Sequence, residues 1–136
     1  MKWDDVRDRL VPAGLFRWVG DPGRDLETEA IEAGWTVWFL DTRDVGSEEE
    51  FYGEVRSAWG LPPWFGDNLD ALFDALRDAV DGPSALIWDG SGAVGRIGES
   101  FAVGVMTVLR DAITEAGVFA VILRDDPLAE LAEPLD

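Results

Sequence analysis

Four short, nearly continuous apolar runs set the frame of this chain: Leu15–Val19, Trp35–Leu40, Ala85–Trp88 and Val118–Leu123. Rich in β-branched and aromatic residues, they predict strands covered on both faces. Helical segments separate them. Asp25–Ala33 holds good helix formers and stops at Gly34; Ser47 is an N-cap before Glu48, Glu49 and Glu50, opening a helix that runs to about Trp59 and Gly60. A third helix is predicted from about Asn68 to Val80, and a fourth from Glu99 to Ala116. The order β-α-β-α-α-β-α-β describes an α/β fold, a small parallel sheet packed with helices in a single domain. Three or four strands are expected. Asp89–Gly98 is read as a glycine-rich loop, and Arg124–Asp136 as a polar tail with a weak helical pattern.

The chain has 136 residues, enough for one core, and no apolar stretch approaches the roughly 20 residues that cross a bilayer. The charged opening Met1–Asp5 carries no export signal, so a cytoplasmic location is expected. Cysteine and histidine are both absent. Their absence removes disulfides, zinc thiolates, Ser–His–Asp and Cys–His catalysis, and the commonest general base. Lys2 is the one lysine. An enzyme is therefore not expected, nor a cofactor or metal. Gly90, Gly92 and Gly95 follow a strand but match no phosphate-binding pattern. With 28 acidic and 11 basic residues the net charge is −17, which repels nucleic acid and acidic lipids and attracts basic proteins.

One segment concentrates that charge. In the predicted third helix, Leu69, Leu72, Phe73, Leu76 and Val80 share an apolar stripe, and Asp67, Asp70, Asp74 and Asp78 a neighbouring acidic one. Like charges four residues apart oppose helix formation, and Asp74 and Asp78 lie beyond the reach of the helix N-terminus. The preceding turn, Pro62–Pro63–Trp64, is stiff and presents an aromatic ring beside the acids. Phe73 stands where the stripes meet. Acids flanked by aromatics suit an interface, but these residues alone leave a solvated face equally open.

The run Leu61-Pro62-x-Trp64-Phe65-Gly66-x-Asn68-Leu69-Asp70-Ala71-Leu72-x-Asp74 resembles the signature of barstar-type ribonuclease inhibitors. The resemblance extends from Trp35 to Leu123 and includes Arg110–Asp111 through Glu115 to Val121–Leu123. It implies the barstar-like α/β fold and a function: binding a small, basic, guanyl-preferring ribonuclease of the barnase type and blocking its active site. The acidic helix and its loop would enter the cleft where RNA phosphate lies, a carboxylate taking the phosphate's place against arginine and lysine. By matching positions, Asp74 is that mimic and Asp70 its partner. Trp64 covers the cleft, Phe73 replaces a family tryptophan, and Asp111 and Glu115 form a second acidic pair. Asp67 completes the expected partner-binding set. Residues 1–34 would be an extension, a strand and helix on the sheet edge; 35–125 the barstar-like domain; 126–136 the tail.

Two departures stand out. Arg77, three residues after Asp74, is placed to blunt the acidic face, and Ala79 stands where an aromatic is frequent. The expected partner is a barnase-like ribonuclease or nuclease toxin, in an immunity or antitoxin role, with no direct contact to nucleic acid or membrane and a monomer when free. An alternative is an acidic decoy for a nucleic-acid-binding protein that is not a ribonuclease. A third is enzymatic, with Asp70 and Asp74 as metal ligands or an acid/base pair, but a metal there would find no further ligands beyond Asp67 and Asn68.

Overall fold

The computed structural model describes residues 2–7, 14–116, 118–125 and 132–136. Two strands organise it. β3 (Ser84–Asp89) and β4 (Phe119–Arg124) pair in parallel along their length, and every residue of β3 is buried. With period-two alternation, Leu86, Trp88, Phe119, Val121 and Leu123 face one side, and Ala85, Ile87, Ala120 and Ile122 the other. Both faces must therefore be covered. On the first lie α3 (Glu48–Trp59), α4 (Leu69–Ala79) and α6 (Glu99–Ala116), contributing Phe51, Tyr52, Val55, Leu72, Leu76, Val105 and Leu109. On the second lie α1 (Trp3–Arg7) and α2 (Leu26–Glu32), through Trp3, Leu26 and Ala30. Each buried leucine of this kind stabilises the fold by roughly 1.5–3 kcal/mol.

The sheet has five parallel strands in the order β2-β3-β4-β1-β5, with β1 at Leu15–Trp18, β2 at Thr36–Asp41 and β5 at Glu133–Leu135. The α/β class is as expected, with one strand more than expected. The extra strand is β5, where the sequence suggested only a polar tail. Leu135 is buried, and Pro134 is tolerated because β5 is an edge that needs no outward donor. Residues 126–131 of the expected tail lie outside the described residues. β5 also changes the place of β1, which is enclosed between β4 and β5 and is not an edge strand.

A second correction concerns Asp89–Gly98, expected as loop. Gly92–Ile97 is a helix, α5, closed by the Gly98 amide on the Val94 carbonyl. Glycine costs a helix about 1 kcal/mol per residue. Here Ala93 and Val94 are fully buried, and their packing outweighs that local cost. The short α1 was not expected either; it is held by Trp3, which meets Trp35 edge-on with ring centroids 5.1 Å apart.

The carboxyl ends of the central strands are tied by buried polar contacts. The Trp88 indole donates to the Thr42 hydroxyl (2.9 Å), which donates to the Gly90 carbonyl (2.7 Å). Arg124 bridges Asp89, its register partner, and Glu27 of α2 at 2.9 and 2.6 Å. Gly90 turns the chain with φ 75°, and a Cβ there would lie 2.7 Å from the Arg43 backbone. Gly60, which caps α3 with φ 62°, has open space around it. Gly90→Ala should therefore cost at least about 2 kcal/mol of unfolding free energy, and Gly60→Ala about 1 kcal/mol. Denaturant titration of the two variants checks this; equal losses would show that positive φ alone governs Gly90.

Candidate partner-binding surface

The segment from Gly60 to Asn68 forms a ledge tied at several points by hydrogen bonds. Gly60 and Leu61 both return their amides to the Arg56 carbonyl, so the chain leaves α3 tightly. The Phe65 amide then bonds the Pro62 carbonyl (3.0 Å), closing a turn whose proline fixes its own φ. Within that turn neighbouring aromatics point opposite ways. Phe65 is half-buried with its ring 6.5 Å from Tyr52, while Trp64 is 83% exposed. Burial, then the charges of Glu48 and Asp67, pushes the Tyr52 phenol up to about 12, so a neutral ring underlies the ledge. Asn68 N-caps α4, its side chain accepting from the Ala71 amide at 2.8 Å.

Along α4, Leu72 and Leu76 are buried, and Leu69, Phe73 and Val80 are half-buried against the same core. Asp70, Asp74 and Asp78 are exposed. Asp67 precedes the cap and so lies off the helix, where it is bound by Arg56 of α3. That clamp spans eleven positions and joins two elements through the intervening loop, so no local spacing announces it. Arg77 is half-exposed: its Nη2 lies 3.2 Å from Asp74 Oδ1, its Nε 3.8 Å from Asp78 Oδ1, and its guanidinium carbon 5.7 Å from the Phe73 ring centroid. Asp111 and Glu115 are exposed on α6.

α4 and α6 pack side by side on one face of the sheet. Gly104 makes room for α4, since a Cβ there would collide with the Leu69 side chain. The two acidic sets thus occupy neighbouring helices of one layer. Among the described residues, Asp70, Asp111 and Glu115 form no ion pair, whereas Asp67 and Asp74 do. No group of three or more acids among the described residues is arranged to hold a metal ion, and no described helix is long and apolar enough to cross a membrane. What the surface offers is a set of carboxylate acceptors beside one exposed indole.

A parallel five-stranded sheet covered on both faces by helices defines the class as a single-domain α/β fold. The particular family is shown by comparison: the model of the Barstar (barnase inhibitor) family matches residues 35–124, and the chain belongs to that family. The match takes in the ledge, α4 and α6, and leaves residues 1–34 outside. A similar protein is the "Putative ribonuclease inhibitor YrdF" of Bacillus subtilis (strain 168), 30% identical over 76 residues, covering 56% of this chain and 84% of the relative.

Arg56 is the ledge's tether, and its removal is expected to loosen the ledge without unfolding the domain. Arg56→Ala should lower global stability by no more than about 1 kcal/mol, the scale of a partly exposed ion pair. Amide exchange at Phe65 should quicken by roughly fivefold, as expected for local opening. Unchanged exchange at Phe65 would show that the turn holds itself.

Proposed function

We propose that this protein is an inhibitor of a small basic ribonuclease, binding over its active site through the ledge, α4 and the acidic face of α6. It is a binding protein and not an enzyme, acting inside the cell in an immunity or antitoxin role. The observation that carries this reading is the row of exposed carboxylates on α4, which follows directly on the turn bearing the 83% exposed Trp64. Membership of an inhibitor family supports it, as does a relative whose name specifies a ribonuclease target.

In this reading a ribonuclease cleft lined with arginine and lysine, shaped to hold RNA phosphate, meets carboxylates instead. Asp74 takes the phosphate position, Asp70 supports it, and Trp64 and Phe73 shield the contacts from water, which strengthens them. Asp111 and Glu115 extend the acidic surface along α6. The net charge of −17 draws a basic partner over distances of about one Debye length, so association slows as salt rises.

Asp74→Ala tests the assignment. The side chain is exposed, so the variant should fold with an unchanged circular dichroism spectrum and melting point. Loss of a charge-assisted contact of about 2 kcal/mol should weaken binding to a barnase-type ribonuclease roughly 30-fold. Titration of ribonuclease activity with parent and variant at low and high salt gives both numbers. Equal inhibition by the two chains would falsify the phosphate-mimic role, and binding insensitive to salt would remove its electrostatic basis.

A further inference from the structure

Resting on that reading of α4, we propose that Arg77 sets the specificity of the surface by competing internally for the cations a partner brings to Asp74. Three contacts converge on its guanidinium: Asp74 at 3.2 Å, Asp78 at 3.8 Å and the Phe73 ring at 5.7 Å. Asp74 and Asp78 are on the exposed side of α4, and the half-buried Phe73 ring lies at its border with the core. The side chains of Arg77 and Asp74 are 48% and 60% exposed, so the pair can open without disturbing the core.

The consequence follows from exchange. A single partner lysine approaching Asp74 replaces a contact that already exists, and gains little. A partner arginine that grips the carboxylate with two parallel N–H bonds, backed by a second cation, supplies more than Arg77 does and displaces it. Displacement also uncovers the Phe73 ring for the incoming guanidinium. Asp70, Asp111 and Glu115 carry no such competitor among the described residues, so cations meet them directly. Asp70, Asp111 and Glu115 thereby attract any basic surface, whereas Asp74 discriminates among such surfaces.

The test uses the full chain with Arg77→Gln, Asp74→Asn and the double variant, against barnase and against a hexa-arginine peptide in low salt. Arg77→Gln should tighten peptide binding about threefold, because one competing charge leaves the face, and that gain should vanish in the Asp74→Asn background. Barnase, if bound, should associate faster with Arg77→Gln by a similar factor. A gain of equal size in the Asp74→Asn background would reduce Arg77 to one unit of net charge and overturn the proposal. No gain, while barnase is still inhibited by the parent, would overturn it and leave the inhibitor reading standing. If no chain binds barnase but the Asp74-dependent peptide gain is present, the role of Arg77 holds and the reading of a barnase-type target fails.

Discussion

Burial of β3 and β4 on both faces is the constraint from which the rest of the molecule follows. A strand with no wet side needs helices above and below, and a parallel neighbour needs a crossover to reach it. The β2–β3 and β3–β4 crossovers place α3, α4 and α6 on one face, with Leu72, Leu76, Val105 and Leu109 pressed onto Leu86, Trp88 and Val121. Because α4 is anchored by its apolar stripe, its opposite side faces outward in a fixed orientation. The acidic surface is the outer side of a helix that the core already holds.

Charge is handled by the same architecture. Several of the arginines act within the fold: Arg24 on Glu29, Arg43 on Asp41, Arg56 on Asp67, and Arg124 on Asp89 and Glu27. Their hydrogen bonds hold the Glu29 and Asp41 carboxyls below the usual range. These pairs spend positive charge on local geometry and leave the large acidic excess on the outside. A strongly acidic chain can thus carry ion-paired joints and still present an uncompensated face to a basic partner. On α4 the division is finest, since Asp70 and Asp74 lie one turn apart and only the second is met by an arginine.

Much of this was legible in the sequence. The apolar runs marked four of the five strands, and Ser47, Gly60 and the stripe from Leu69 to Val80 placed α3 and α4 closely. The motif around Trp64 and Asp74 marked the family. Less legible were elements whose stability is not local. α5 contains two glycines and forms because Ala93 and Val94 are buried; β5 contains a proline and forms because β1 offers it an unpaired edge. Asp67 looked like a member of the helical acidic stripe, and only the fold brings Arg56 beside it.

The sequence by itself therefore determined the α/β class, four of the strands and the apolar and acidic stripes of α4, because each depends on periodicity and residue type within a few turns. Which acids are engaged within the fold and which stand open was decided by tertiary structure. Ion pairing depends on distances between elements joined by loops, and a chain's local pattern does not contain them.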